Sequence, residues 1–254
     1  RRGKRVALAN KESLVAGGDL ITAMLREGHG EVVPVDSEHS AILQCLNGEV
    51  PQTVESIILT ASGGPFRELP AEAFGAITPT QALDHPTWSM GQKITIDCAT
   101  LVNKGFEAIE AHHLFGIPYE KLRVIIHPQS IVHSMVTFHD GAVMAQLGLP
   151  NMELPVLYAI EYPNRRPVPG RRLDLVETGQ LSFFEPDYER FPCLRLCLEA
   201  GREGGTAPVV LNAANEVAVR AFLDERIPFV AIAKVIAEAL EQRIAGAHDR
   251  TFVP

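Results

Sequence analysis

Short apolar runs and amphipathic stretches alternate along the first half of the chain. Residues 6–9 read as a buried strand, 13–26 as a helix after a polar turn, and 31–35 as a second strand closed by Asp36. Strand, helix, strand is the order of a parallel α/β unit. A further strand is predicted at 56–60, running into the turn Ala61-Ser62-Gly63-Gly64-Pro65-Phe66-Arg67. Residues 78–93 are rich in turn formers and hold the only tryptophan, Trp88. The pattern then predicts a strand at 94–96, a helix at 103–114, strands at 124–127 and 134–138, and a helix at 150–160. Pro163, Pro167, Pro169 and Pro186, with Gly170 and Gly179, mark 162–187 as an extended connector. Beyond it, 192–200, 208–224 and 228–245 carry helical periodicity.

These elements predict an α/β protein: a mixed α+β catalytic domain over 36–161, the connector, and a helical domain over 188–254. A doubly wound nucleotide-binding domain needs about five or six strands and a glycine-rich first turn. Only two strands precede Asp36, and no G-x-G-x-x-G follows the first. Residues 1–35 are therefore expected to be the remnant of such a domain, most of it absent from this chain.

Composition narrows the partners. Hydrophobic residues at 46% and charged residues at 21% suit a globular chain with a sizeable core. With 23 Lys and Arg against 31 Asp and Glu the net charge is -8, and the basic residues are scattered, so nucleic acid is not an expected partner. Cys45, Cys98, Cys193 and Cys197 form no C-x-x-C pair, and Cys193 and Cys197 would share a helix face, so reduced packing thiols are expected. No apolar run approaches the ~20 residues that span a bilayer, and the apolar stretch after Lys4-Arg5 is too short for a signal peptide. No membrane partner is expected, and the cytoplasm is the expected compartment.

Candidate chemistry gathers at strand ends. Asp36-Ser37-Glu38-His39 directly follows a strand, where ligands of open α/β sheets bind. If this segment is extended, Asp36 and Glu38 point the same way, and a hard divalent cation relieves their repulsion. A plain helix start, with Asp36 or Ser37 as N-cap, explains the same residues. Ser62-Gly63-Gly64 makes either an anion cradle or a simple tight turn. Asn103, Lys104 and Glu107 can share one helix face, suiting either a phosphate and a cation or an exposed ion pair. His85-Pro86-Thr87-Trp88-Ser89-Met90-Gly91 reads as core or as a lid that excludes water. His127, His133 and His139 sit on or near apolar strands and read as structural.

The order of these clusters says more than any one of them. Ala9-Asn10-Lys11-Glu12-Ser13, Val35-Asp36-Ser37-Glu38-His39, Ser62-Gly63-Gly64-Pro65-Phe66-Arg67, His85-Pro86 to Trp88-Ser89-Met90-Gly91 and Asn103-Lys104-Gly105 follow one another. Ile126-His127-Pro128-Gln129-Ser130 and Leu211-Asn212-Ala213-Ala214-Asn215-Glu216 complete the series. In register, they closely resemble the 1-deoxy-D-xylulose 5-phosphate reductoisomerase family, over essentially the whole chain. The resemblance implies that Asp36, Glu38 and Glu107 ligate one Mg²⁺ or Mn²⁺ and act in catalysis with Lys11. It implies substrate contacts from Ser37 at the reacting end and from Ser62, His85, Asn103 and Lys104 at the phosphate end, with Ser130 also in the substrate set. Trp88 and Met90 match a flap over 84–93, and Asn10, Glu12 and Gly91 match positions near the nicotinamide of NADPH. A homodimer is implied as well.

Cys98 departs from the family pattern, which usually places Ser there as a donor to the phosphate. A thiol is the weaker donor, so weaker phosphate binding is expected. If the nucleotide domain is absent, the hydride donor loses its positioning, and these 254 residues alone are expected to show little reductase activity. The chain would then act as a metal- and sugar-phosphate-binding module. A redox-independent phosphosugar isomerase or aldolase is the remaining alternative.

Overall fold

A computed structural model of the chain describes residues 3–28 and 30–246. Residues 1–2, 29 and 247–254, the last belonging to the expected helical domain, lie outside the described residues. By its internal contacts the chain divides into two units. One comprises 1–63, 87–89 and 106–186, the other 64–86, 90–105 and 187–254.

In the first unit, β1 (Lys4–Leu8) and β2 (Gly30–Pro34) pair in parallel on either side of α1 (Lys11–Arg26) in the chain. Asn10 caps α1, its side-chain oxygen accepting the Ser13 N–H at 3.0 Å. Farther along the helix, Gly18 lies against the ring of His113: a Cβ on Gly18 would fall 2.1 Å from His113 Cδ2. Only a residue without a Cβ allows this approach. α2 (Ser37–Leu46) follows β2 and buries Ala41 and Ile42.

A second sheet runs in the order β4-β3-β5-β6. Its strands are β3 (Val54–Ala61), β4 (Leu122–Ile126), β5 (Val132–Phe138) and β6 (Val143–Leu147). β4 runs parallel to the central β3, while β5 and β6 continue antiparallel. Ile57 and Leu59 of β3 are fully buried, which explains its continuous apolar run. The Thr60 hydroxyl lies 2.6 Å from the Val132 carbonyl and 2.8 Å from that of His133, tying β3 to β5. α6 (Glu153–Glu161) and the single-turn α7 (Leu175–Thr178) complete this unit, together with Phe106 onward of a helix defined below. The connector is largely irregular, yet it is not detached: Phe184 forms an antiparallel bridge with Ile126.

The second unit is helical. It contains α3 (Pro79–Leu83), α4 (Gln92–Thr100), the first turn of α5 (Val102–Phe115), α8 (Pro192–Glu203), α9 (Ala207–Leu223) and α10 (Ala231–Gly246). Its core includes an aromatic cluster in which Phe66 and Phe229, and Phe74 and Phe191, meet edge to face at 5.4 Å.

The helices α2, α3 and α7 lie where the sequence reading gives no helix span, and two further elements differ from it. The strand predicted at 94–96 is the middle of α4: the Thr95 hydroxyl donates to the Gly91 carbonyl and Ile96 is fully buried. Packing overrides the β preference of Ile-Thr-Ile. β6 was not predicted, because it is an edge strand whose Val143 and Met144 remain exposed and leave no alternation to read. Cys45, Cys193 and Cys197 are buried free thiols, as expected of packing residues. Among the described residues no helix is long and apolar enough to cross a membrane.

Candidate metal centre

Three carboxylates from two separated segments converge in the first unit. Oxygens of Asp36, Glu38 and Glu107 all lie within 4.8 Å of one another. Asp36 stands at the N-cap of α2, but its side chain makes no capping hydrogen bond. It points instead to Lys11, with Oδ2 2.6 Å from Nζ. Glu38 lies in the first turn of α2, and its carboxylate accepts from the Ser37 hydroxyl. The expectation that Asp36 and Glu38 align along an extended segment is thus corrected. Helix α2 has already begun at Ser37, and it is the freed N-cap carboxylate that lets the two sides converge.

Glu107, almost fully buried, comes from α5 and takes the same Lys11 ammonium at 3.0 Å. α1 meets α5 at two places: Gly18 lies against His113, and Lys11, on the other side of a kink at Gly17, reaches Glu107. Three hard oxygen donors with one cationic neighbour suit Mg²⁺ or Mn²⁺ far better than a soft metal.

Behind the three carboxylates lies a buried pair that the sequence reading missed. His39 Nε2 donates to the Glu107 carbonyl at 2.8 Å, which leaves Nδ1 facing Glu110 Oε2 at 3.3 Å and Asp36 Oδ2 at 3.9 Å. Asp36, His39 and Glu110 also fall within the distance of a shared ion. The signal was present in the sequence. Glu107 and Glu110 are three apart within Phe106-Glu107-Ala108-Ile109-Glu110-Ala111, and acidic residues on an apolar helix face need partners.

The charges answer one another. Burial pulls the Lys11 ammonium down, but Asp36, Glu107, Glu110 and Glu38 together hold its pKa well above the usual lysine value. Burial pushes the Glu110 carboxyl up, with Asp36 and Glu107 adding to the rise and His39 and Lys11 opposing it. Removing water is costly for each of these groups, and the single Lys11 ammonium answers only part of the negative charge that Asp36, Glu38, Glu107 and Glu110 bring together.

The other residues named from the resemblance fall in both units. Asn10 and Glu12 lie at the start of α1, where the Asn10 amide donates to the Glu12 carboxylate at 2.7 Å. Ser37 is buried in α2, and Ser62 follows β3. Trp88 sits 6.4 Å from the ring of His133. Ser130 adopts a left-handed backbone, φ +52°, in the turn after β4, where its N–H donates to the His127 carbonyl. His127 is structural: its Nδ1 donates to Ser182 O at 2.9 Å and its Nε2 accepts the Ile131 N–H. In the second unit, His85, Met90 and Gly91 lie in the irregular segment before α4, Cys98 on α4, and Asn103 and the buried Lys104 in the first turn of α5. Gly64, φ +67°, passes the end of α4 so closely that a Cβ would meet Cys98 O at 2.9 Å.

Family models described as the 1-deoxy-D-xylulose 5-phosphate reductoisomerase C-terminal domain and the DXP reductoisomerase C-terminal domain match residues 32–115 and 147–252. The 1-deoxy-D-xylulose 5-phosphate reductoisomerase of Prosthecochloris aestuarii is 55% identical over 241 residues, covering 95% of this chain and 63% of its own length. That of Heliobacterium modesticaldum is 56% identical over 239 residues, covering 94% of the chain and 61% of its own length. The chain thus spans less than two thirds of these relatives. Among solved structures, the Zymomonas mobilis reductoisomerase in complex with NADPH superposes with a TM-score of 0.89 at 46% identity, over 98% of this chain and 63% of that one. A DOX-P reductoisomerase in complex with NADPH, fosmidomycin and magnesium reaches a TM-score of 0.93 at 42% identity, over 98% of this chain and 64% of its own. A common sequence and a common fold along nearly its entire length place the chain in the 1-deoxy-D-xylulose 5-phosphate reductoisomerase family.

Proposed function

We propose that the chain supplies the metal- and substrate-binding machinery of an NADPH-dependent reductoisomerase. The enzyme converts 1-deoxy-D-xylulose 5-phosphate to 2-C-methyl-D-erythritol 4-phosphate, in the non-mevalonate route to isoprenoid precursors. The observation that carries this reading is the meeting of Asp36, Glu38 and Glu107 beside a buried, charged Lys11.

In this reading the three carboxylates hold one Mg²⁺ or Mn²⁺. When bound, that ion acts as a Lewis acid on the substrate's carbonyl and neighbouring hydroxyl oxygens. Lys11, kept protonated by its carboxylate neighbours, donates to the oxygen that gains negative charge as the carbon skeleton rearranges. Ser37 contacts the same reacting end. His39 fixes the Glu107 backbone and faces Asp36, so the carboxylate geometry is set before substrate arrives. Ser62, His85, Cys98, Asn103, Lys104 and Ser130 take the substrate and its phosphate, and Trp88 and Met90, in the segment 84–93, exclude water over it. Asn10, Glu12 and Gly91 contact the nicotinamide end of NADPH. The protein works as a homodimer in the cytoplasm, away from nucleic acid and membrane.

The test is calorimetric and kinetic. The chain should bind Mn²⁺ and the sugar phosphate, and Glu107→Gln should weaken Mn²⁺ roughly 10²–10³-fold, the scale of removing one charge at contact distance. The enzyme carrying this chain should oxidise NADPH only when given both 1-deoxy-D-xylulose 5-phosphate and the ion. Rearrangement without NADPH would point instead to a redox-independent isomerase. Unaltered Mn²⁺ binding in Glu107→Gln would remove the carboxylates from the site.

A further inference from the structure

Helix α9 carries Asn215, a fully buried amide, within Leu211-Asn212-Ala213-Ala214-Asn215-Glu216. Its Nδ2 donates to Asp97 Oδ1 at 2.8 Å. Asp97, on α4, is itself buried, and its second oxygen is 2.7 Å from the Lys93 ammonium, which reaches Glu216 of α9 at 3.2 Å. One carboxylate and one amide are buried here: both Asp97 oxygens and the Asn215 nitrogen are paired, while Lys93 and Glu216 reach solvent and Asn215 Oδ1 has no hydrogen-bond partner among the described residues.

The network anchors a strained piece of backbone. Directly after Asp97 come Cys98 and the end of α4, where Leu101 adopts φ +63°, a conformation costly for a side chain with a Cβ. The Thr100 hydroxyl lies 3.0 Å from the Ile96 carbonyl and 3.2 Å from that of Asp97, while the Val102 N–H points back to it at 3.4 Å. α5 then begins, with Asn103 and Lys104 in its first turn and Gly105 packed on Cys197 of α8, where a Cβ would fall 2.2 Å from Cys197 Cβ. Apolar packing alone permits small slips, but directional hydrogen bonds to a buried carboxylate fix the rotation of α4 about its axis.

We propose that Asn215 and Asp97 are positioning residues for sugar-phosphate binding. By pinning α4 to α9 they hold the α4–α5 corner that presents Cys98, Asn103 and Lys104. This rests on the proposed function, in which those three residues take the phosphate end. Neither Asn215 nor Asp97 touches the substrate. They act through the backbone between them and it.

The experiment is calorimetry on the chain with 1-deoxy-D-xylulose 5-phosphate and, separately, Mn²⁺. Asn215→Ala should weaken the sugar phosphate about tenfold or more, as misplaced binding groups do, and leave Mn²⁺ affinity within about twofold. Asn215→Ala leaves a buried carboxylate short of a donor and lowers stability, so the double variant Asp97→Ala/Asn215→Ala carries the decision. With both partners removed no buried carboxylate is left short of a donor, and the melting temperature of each variant shows that it is folded at the temperature of the titration. If positioning is their role, sugar-phosphate binding stays weak in the double variant. Recovery of wild-type affinity there, or affinity within about twofold of wild type in both variants, overturns the proposal. A wild-type chain that binds Mn²⁺ but no sugar phosphate would instead overturn the proposed function, and this inference with it.

Discussion

Lys11 is nearly fully buried and makes ion pairs with Asp36 and Glu107 at 2.6 and 3.0 Å. Because its pKa is raised in the folded state, its stabilising charge is complete below the unfolded value of 10.5 and is lost only as pH rises through the higher folded value. Over the neutral range it is a constant positive charge beside the three carboxylates. Lys11→Met should therefore bind Mn²⁺ about tenfold more tightly at pH 8 while catalysis collapses, since a charge at ~4 Å contributes up to ~4 kcal/mol in such surroundings. A weaker Mn²⁺ affinity in the variant, read by electron paramagnetic resonance titration, would show that the ammonium does not oppose the ion. At residue 98, a hydroxyl is the stronger donor to phosphate. Cys98→Ser should lower the KM for the sugar phosphate by a few-fold, on the order of 1 kcal/mol of hydrogen bonding. An unchanged or raised KM contradicts this.

Among the elements, the sequence was most legible where one physical cause dominated. The central β3 reads directly from its apolar run, and α1 and α5 from their apolar periodicity. Ile94-Thr95-Ile96 has the composition of a strand, but burial of Thr95 and Ile96 within α4 outweighs that local preference. β6 failed because half of an edge strand faces water. Close approaches are legible only as unexplained glycines. Gly105 is one: seen in sequence it is a poor helix residue, yet in the fold it is the point where α5 meets α8. Gly105→Ala should cost about 1–3 kcal/mol through overpacking despite the better helix propensity of alanine. A melting temperature equal to or above that of the wild type would show that α8 yields without strain.

At the scale of the whole molecule, the candidate site was legible as an ordered set of motifs, while its geometry was not. Spacing left Asp36 and Glu38 suspended between a cation site and a helix start; the fold starts a helix there and also brings their carboxylates within 4.8 Å of that of Glu107. The pairing of His39 with Glu110 is not legible in sequence: the apolar face around Glu110 signals that it needs a partner, but not which residue of another helix supplies it. An ion that binds only the folded arrangement must stabilise it. Mn²⁺ at a hundred times its dissociation constant should add about 2.7 kcal/mol, raising the melting temperature by roughly 5 °C or more. Glu107→Gln should abolish that rise, and a rise that persists in this variant would place the ion elsewhere.

Glu107 stands about seventy residues beyond Asp36, and the ribosome adds only ~5–20 residues per second. The first two carboxylates therefore leave synthesis several seconds ahead of the third. During that interval no complete ligand set exists for an ion to find. With these three residues as its ligands, the ion cannot be captured by α2 alone: capture waits until α5 has been made.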